Sequence, residues 1–403
     1  MSVPLDRLYH YLDDSVNHDL VIYRWAPHGS RKLEDLGPLF NYPIQEYYNR
    51  APMVCHDQEP LNWQFYSRND IVQATRNWIA KIPDFDFLNS PVLLEYQSNF
   101  HLRSVIGCGN WFDKTLLLHS ERRGANLEIY QKHGFVPVYV WSHAVISLDW
   151  FRYAQHDPAL VYDATRIQKT FLVYNRAWGG AREYRLYFAQ QLATHDLIPH
   201  TQISFAAVDN GTHYVDHVFT NKKLQIHMHN LEQFYSPNTA DPSSSADYCG
   251  SDYATCGIEI VLETLFDDDR LHLTEKTLRP IACGKPFLLC GTAGSLQYLR
   301  EYGFETFAGL IDESYDAIID SQKRLDAIIQ EMKRIATLDA SDKQVLYAKL
   351  QEIAQRNKQR FFNGLFDQVI EEYKTNLNQA MIIMQQHCTG KHRTAIRQLL
   401  EQN

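Results

Sequence analysis

The amino-acid sequence predicts an α/β protein with two doubly wound, Rossmann-like domains that face a common cleft, followed by C-terminal helices. Short apolar segments alternate with helical ones, which is the pattern of βαβ units and a parallel sheet. The alternation restarts near residue 170, and residues 315–380 show helical periodicity with mixed charges. We therefore predict an N-terminal domain over residues 1–165, a C-terminal domain over 166–340 and a helical segment over 341–403.

Four strands and one helix are predicted in the N-terminal domain. The strands are the apolar runs at residues 20–25, 51–56, 115–119 and 136–141. The helix covers residues 126–133 and ends at Gly134. Because the carboxyl ends of parallel strands meet at one edge of a sheet, polar residues that follow these strands are candidates for a site.

The C-terminal domain carries the most regular pattern. Strands are predicted at residues 171–175, 257–264, 271–273 and 286–290, and a helix at 182–195. Thr274 suits the N-cap of a second helix that runs to Cys283, with Gly284 at its C′ position. Ser295 is predicted to cap a third helix, over residues 296–302.

The composition is that of an ordinary globular protein. Hydrophobic residues make up 45% of the chain and charged residues 22%, which supplies full cores and excludes a disordered chain. The net charge of −9 does not indicate a nucleic-acid or membrane binder, although a local basic groove can lie on an acidic protein. The seven cysteines include no Cys-x-x-Cys pair, so neither a disulfide framework nor a zinc knuckle is predicted.

The N-terminal residues lack a basic segment followed by an apolar one, so no signal peptide is predicted. The longest apolar runs are far shorter than the ~20 residues of a membrane-spanning helix. These features, together with cysteines suited to a reducing compartment, predict a cytoplasmic protein without membrane insertion.

The segment Thr274-Glu275-Lys276 carries the strongest chemical pattern. A helix that begins at Thr274 presents free backbone N–H groups and the positive end of its dipole, which together form an anion site. Lys276 in the first turn opposes that dipole, so a phosphate ligand explains it better than helix stability does. Glu263 ends the neighbouring strand and is placed to accept hydrogen bonds from ribose hydroxyls. A capped helix with an exposed Glu–Lys pair is the alternative.

The same residues resemble the donor-site motif of fucosyltransferase-like glycosyltransferases of the GT-B architecture. The matching positions are Glu263, Thr274, Glu275, Lys276, Pro280, Gly284 and Pro286. Residues 294–307 and 171–185 are similar to glycosyltransferase-like proteins of tailed bacteriophages, and His56 to Leu61 is similar more weakly. In that family the equivalent Glu and Lys hold the nucleotide and its diphosphate. The resemblance implies a hexosyl- or pentosyltransferase that uses a nucleoside-diphosphate sugar, such as a UDP-sugar.

Arginine residues that follow the strand at 171–175 complete the predicted donor site. Arg176 comes directly after the strand, and a guanidinium suits a bidentate grip on a diphosphate. Arg182 lies at the start of the next helix, with Arg185 as a further cation. The predicted donor-binding residues are thus Arg176, Arg182, Glu263, Thr274, Glu275 and Lys276. A surface ion pair is the alternative for Arg176.

Sugar transfer needs a base that deprotonates the acceptor hydroxyl, and a carboxylate or a histidine serves this purpose. Asp57, then Glu59 and His56, are the predicted catalytic residues, because they lie at the end of the strand 51–56 in a loop stiffened by Pro60. A polar turn is the alternative. Other polar residues at predicted strand ends are each better explained as structural: His28, His119, Glu121 and His143.

No metal site is predicted, and no cofactor besides the sugar nucleotide. Asp267-Asp268-Asp269 contains the Asp-x-Asp pattern that binds Mn²⁺ in other glycosyltransferases, but it is interpreted as a solvated acidic turn between two strands. Arg176, Lys276 and the helix N-terminus are expected to neutralise the diphosphate instead. Cys388 to Lys391 lacks the upstream glycine of a phosphate loop.

The predicted acceptor is a hydroxymethylated pyrimidine in DNA, since the resemblance includes bacteriophage proteins and phages glycosylate their own modified DNA. Arg122-Arg123 and Lys222-Lys223 are basic pairs suited to a rim that binds the DNA backbone, and aromatic residues are suited to holding a flipped base. The net charge opposes a duplex substrate. A cell-surface or soluble glycan is the alternative acceptor. A sugar-nucleotide epimerase and a non-catalytic nucleotide or nucleic-acid binding protein are the alternative functions.

Overall fold

The computed structural model describes residues 20–24, 37–38, 51–56, 115–224 and 247–386. The chain divides into two compact units, one formed by residues 1–142 with 369–403 and the other by residues 143–368. The boundaries predicted after residues 165 and 340 stay a prediction beside this division.

The first unit contains a sheet in which five strands are described. They are β1 (Leu20–Arg24), β2 (Gly37–Pro38), β3 (Ala51–His56), β4 (Thr115–His119) and β5 (Phe135–Tyr139). Their order is β2-β1-β3-β4-β5; β2 is antiparallel to β1, and the other pairs are parallel. Helix α1 (Ala125–Lys132) connects β4 to β5, and Gly134 follows it with a φ of 87° that favours glycine. All four strands predicted for this half are confirmed to within two residues.

The second unit contains a parallel sheet in which four strands are described. Its strands, and a separate two-stranded hairpin, are β6 (Lys169–Asn175), β7 (Thr201–Phe205), the hairpin of β8 (Val208–Asp209) and β9 (Thr212–His213), β10 (Cys256–Leu262) and β11 (Phe287–Cys290). The order β11-β10-β6-β7 shows that the chain adds β7 on one side of β6 and then adds β10 and β11 on the other. Every residue of β10 is buried, as expected for a strand covered on both faces.

The remaining described helices are α2 (Ser142–Trp150), α3 (Tyr184–Thr194), α4 (Gly250–Thr255), α5 (Glu275–Cys283), α6 (Ser295–Glu301), α7 (Ser321–Thr337), α8 (Ala340–Phe362) and α9 (Leu365–Gln386). The last three confirm the helical prediction for residues 315–380. The α/β class with parallel sheets is confirmed, and the alternation of strands and helices is compatible with a Rossmann-like fold. Among the described residues, no helix combines the length and the apolar character needed to cross a membrane.

Two local predictions in the second unit are wrong. Leu271–Leu273 forms no strand; Leu271 is a single bridge residue, and the buried segment leads into α5. Ser295 does not cap α6, because Gly294 occupies the N-cap with a φ of 89° and the Ser295 hydroxyl donates to the carbonyl oxygen of Thr292 at 2.6 Å.

A buried ion pair fixes α5 on strand β10. The guanidinium of Arg279 lies 2.5 Å from the carboxylate of Glu259, and both side chains are almost fully excluded from solvent. The hydroxyl of Tyr253 donates to Glu259 and accepts from Arg279 Nε at 3.1 Å. Because the charges and the hydroxyl all have partners, the pair is satisfied, and loss of one partner would leave a buried charge.

Arg324 on α7 joins the loops that follow β10 and β11. Its guanidinium donates to the carbonyl oxygens of Phe266, Gly291, Ile318 and Ile319, and it lies 4.4 Å from the centroid of the Phe266 ring. The side chain is fully buried. A single cation thus holds three separate loop segments at one edge of the sheet.

Candidate functional site

The candidate site lies at the carboxyl edge of the parallel sheet in the second unit. Strand order reverses between β6 and β10, which are hydrogen-bonded neighbours. In open α/β sheets, ligands bind outside the carboxyl ends of the strands at such a switch point. The candidate site residues are therefore those that follow β6 and β10.

Helix α5 begins after the β10 loop and is capped as the sequence predicts. Thr274 has extended backbone at the N-cap position, and its hydroxyl accepts from the backbone N–H of Lys276 at 3.4 Å. At the other end Gly284 adopts the left-handed conformation, with a φ of 65°. The predicted bounds of this helix are confirmed.

The buried carboxylate of Glu263 lies at the N-terminus of α5. Its carboxylate accepts from the backbone N–H and the hydroxyl of Thr274 at 3.0 and 2.7 Å, and from the same two groups of Thr277. A fifth hydrogen bond comes from the backbone N–H of Thr264. A carboxylate has about four lone-pair sites, so these donors fill it. The side chain is fully buried, and the ribose contact that the sequence predicts for Glu263 stays a prediction.

Lys276 and Glu275 form an ion pair at the first turn of α5. The ammonium lies 2.6 Å from the Glu275 carboxylate, and the Lys276 side chain is 22% exposed, whereas that of Glu275 is buried. Burial alone would raise the pKa of Glu275, but the charges of Lys276 and His143 outweigh it and lower the pKa to about 2. Glu275 is therefore an anion at neutral pH, and it holds the Lys276 ammonium at the first turn of α5.

His143 contacts Glu275, and His272 contacts His143. His143, near the start of α2, has Nδ1 at 3.4 Å from the Glu275 carboxylate, and its ring contacts the ring of His272 edge to face. The sequence suggested a structural role for His143 and gave no signal for His272. Their spacing in the sequence gives no signal for the contact, because His143 and Glu275 meet only in the folded chain.

The arginines after β6 divide into one structural residue and two at the site. Arg185 is buried and donates to the carbonyl oxygens of Ala177, Leu262 and Glu263, so it joins the loops that follow β6 and β10. Burial lowers the pKa of Arg185, and the nearby charge of Arg182 acts in the same direction. Arg182 is half-buried and makes no side-chain hydrogen bond or ion pair within the described residues. Arg176 follows β6 directly and is also half-buried.

Two other groups of backbone donors at this edge are already bound by side chains of the protein. Asp209 accepts from the backbone N–H groups of Trp178 and Gly179 at 2.8 and 2.6 Å. Asp316 accepts from the first turn of α6 at 3.0 and 3.3 Å. With Glu263 on α5, internal carboxylates fill these three anion sites. The side chains of Lys276 and Arg182 are then the main positive groups open to a ligand among the residues described here.

The Asp267 to Asp269 turn is less solvated than the sequence suggests. Asp267 accepts a hydrogen bond from the side-chain amide of Asn221, and Asp268 forms an ion pair with Arg270. The hydrogen bonds from Arg270 lower the pKa of Asp268 to about 2 against the opposing effect of burial. The described residues contain no group of three or more metal-ligating side chains.

The predicted catalytic residues fall largely outside the described residues. His56 is the last residue of β3, and Asp57, Glu59 and His28 lie outside the described ranges. His119 and Glu121 are buried at the end of β4.

Both predicted DNA-binding pairs include cations that have internal partners. Arg122 forms an ion pair with Glu372 at 2.5 Å. Lys223 donates to the carbonyl oxygen of Asp267. These contacts leave fewer free cations on the predicted rim than the sequence suggests.

Comparisons with known proteins add no identification. A scan of protein-family models, a search of curated proteins and a search of solved structures each return no match.

Proposed function

We propose that the protein is a glycosyltransferase that moves a sugar from a nucleoside-diphosphate sugar to a hydroxyl group. The observation that carries the proposal is the pair of cations at the switch point. Lys276, in the first turn of α5, and Arg182, in the turn before α3, follow the adjacent strands β10 and β6, at the edge where open α/β sheets bind ligands. Two cationic side chains at such an edge suit the two phosphates of a diphosphate.

Contacts that hold the two cations and their neighbouring residues in place support this assignment. Glu275 orients the Lys276 ammonium, and Glu263 and Arg185 fix the loops on which the cations are carried. A preorganised positive site stabilises the charge that develops on a departing diphosphate, and the side chains do not have to rearrange during the reaction. The GT-B arrangement and the roles of Arg176 and Thr274 are parts of the same proposal. A base from the His56 to Glu59 loop stays a prediction.

The proposed acceptor is a hydroxymethylated pyrimidine in DNA, with a glycan as the alternative. The experiment is incubation with nucleotide sugars and hydroxymethylated or unmodified DNA, followed by digestion to nucleosides and a search for the added sugar mass. Transfer to a glycan, with no adduct on any modified DNA, would reject the DNA acceptor and leave the transferase assignment intact.

The donor site is tested by thermal unfolding with UDP, GDP and their common sugar conjugates. We expect one nucleoside diphosphate to raise the melting temperature, since a ligand at 100 times its Kd stabilises the native state by about 2.7 kcal/mol. Release of free sugar from the matching conjugate supports the enzyme. Tight nucleotide binding without turnover would favour a non-catalytic binding protein, and the absence of any shift would reject the nucleotide site.

A further inference from the structure

His217 and Glu183 form a histidine–carboxylate pair beside the proposed donor site. The imidazole Nε2 lies 2.7 Å from Glu183 Oε1, and the exposed fractions of the two side chains are 16% and 1%. The His217 ring is held edge-on by the rings of Trp178 and Phe219, each with a centroid distance of 5.0 Å. The imidazole is therefore fixed in one orientation while part of it reaches solvent.

The hydrogen bonds of Glu183 assign the tautomer of His217. The carboxylate also accepts from the backbone N–H groups of Thr220 and Asn221, at 3.0 and 2.6 Å, so it is a satisfied anion that can only accept from the imidazole. In the neutral imidazole, Nε2 then carries the proton and Nδ1 the lone pair. Nδ1 makes no hydrogen bond to any residue in the described ranges. A histidine oriented by a carboxylate, with its second nitrogen open, has the geometry of a general base.

The segments that carry the pair are connected to the loops on both sides of the switch point. Glu183 directly follows Arg182, and Trp178 belongs to the same loop after β6. The segment that carries His217 also reaches the loop after β10, because Asn221 and Lys223 both donate to Asp267. The segment that carries His217 Nδ1 is thus hydrogen-bonded both beside Arg182 and in the loop that leads to α5 and Lys276.

We propose that His217, oriented by Glu183, is the base that accepts the proton of the acceptor hydroxyl in the sugar transfer; this inference rests on the proposed function. The hydroxyl O–H bond breaks and its proton passes to Nδ1 of His217. The hydroxyl oxygen forms a bond to the anomeric carbon, and the bond from that carbon to the phosphate oxygen breaks. The electron pair leaves with the nucleoside diphosphate, while Glu183 stabilises the imidazolium.

A purely structural role is the competing explanation, since Glu183 also holds residues 217–221 against α3. The two roles separate in one variant. His217→Gln keeps an amide N–H that can donate to Glu183 and removes the titrating nitrogen. His200→Gln is the matched control, because His200 precedes β7 at the opposite, amino edge of the sheet.

The test measures nucleoside diphosphate release from UDP-glucose, UDP-N-acetylglucosamine, GDP-mannose and GDP-fucose, and the binding of UDP and GDP by calorimetry. We expect His217→Gln to bind the diphosphate within twofold of wild type and to release it about 10²-fold more slowly or worse. Added imidazole should restore part of the rate, and the acidic limb of the pH profile of kcat/KM should flatten.

Three outcomes would overturn the inference alone. The first is a wild-type rate for His217→Gln, and the second is a slow rate that imidazole does not restore, together with an unchanged pH profile. The third is loss of activity in Asp57→Asn or Glu59→Gln while His217→Gln stays active. A wild-type protein that binds neither diphosphate and releases none from any of the four sugars would overturn the proposed function, and the inference with it. The two failures are therefore distinct.

Discussion

The carboxylate of Glu263 accepts hydrogen bonds from both the backbone N–H and the hydroxyl of Thr274. The two residues lie 11 positions apart in the chain, and their contact joins the end of β10 to the start of α5. It makes Glu263 a charged cap that belongs to the protein, so a ligand phosphate does not have to fill the helix N-terminus for the helix to be stable.

We expect Glu263→Gln to lower the free energy of unfolding by about 1–3 kcal/mol, because the new amide turns a donor toward backbone and hydroxyl donors in a buried site. Urea unfolding measures the change. Glu352→Gln, at an exposed position of α8, is the control and should stay within about 0.5 kcal/mol of wild type. Equal stability of the two variants would show that the cap is dispensable.

Lys276→Ala should weaken the binding of the nucleoside diphosphate by about 1.5–3 kcal/mol, the value of a lost charge-assisted hydrogen bond. Calorimetry measures the affinity. Lys323→Ala serves as the control, since Lys323 is an exposed lysine in the first turn of another helix, α7. Unchanged affinity for Lys276→Ala would remove this residue from the donor site.

The pH dependence of stability should report the Glu275 carboxylate. Its pKa is lowered from 4.5 to about 2 on folding, so its contribution is complete above pH 4.5 and is lost as the pH falls toward 2. The full contribution is about 3 kcal/mol. Glu275→Gln should therefore be less stable than wild type at pH 7, with a difference that shrinks between pH 4.5 and 2. A constant difference across this range would contradict the assignment.

The buried pair of Glu259 and Arg279 should matter far more to stability than an exposed one. Arg279→Met leaves the Glu259 charge buried and should cost about 3–5 kcal/mol. Arg356→Met breaks a similar contact to Glu305, at 2.7 Å, but both of those side chains are about half exposed, so solvent screens the pair and we expect a much smaller cost. Urea unfolding of both variants checks the ratio. Similar costs would mean that burial does not set the strength of these pairs.

Catalysis should proceed without a bound divalent metal. Asn221 and Arg270 engage the carboxylates of Asp267 and Asp268, and cationic side chains at the switch point are proposed to neutralise the leaving group. Turnover should be unchanged in EDTA. Loss of turnover in EDTA, followed by recovery with Mn²⁺, would indicate that the Asp267 turn binds a catalytic metal ion.

The sequence predicted the strands and helices well where local signals agree with burial. Thr274 and Gly284 mark α5 because an N-cap hydroxyl and a left-handed glycine act within a few residues. The pattern failed at Leu271–Leu273, where the buried Leu-His-Leu segment is not a strand, although no local rule distinguishes it from one.

The site was harder to predict because its contacts are long-range. Glu183 and His217 lie 34 positions apart, and no spacing rule joins them. Glu263 is a similar case: a carboxylate after a strand suits a ribose or a helix cap equally, and only the folded chain brings the donors of Thr277 to it.

The Arg324 guanidinium has a consequence for how the site moves. The carbonyl groups of Phe266, Gly291 and Ile318 accept from three different nitrogens of this one buried guanidinium, so displacing any one of these segments weakens the anchorage of the other two. Local opening at this edge should therefore be cooperative. In native-state hydrogen exchange, amides next to these three segments should share a single opening free energy, and ligand entry should leave the backbone beneath the site in place.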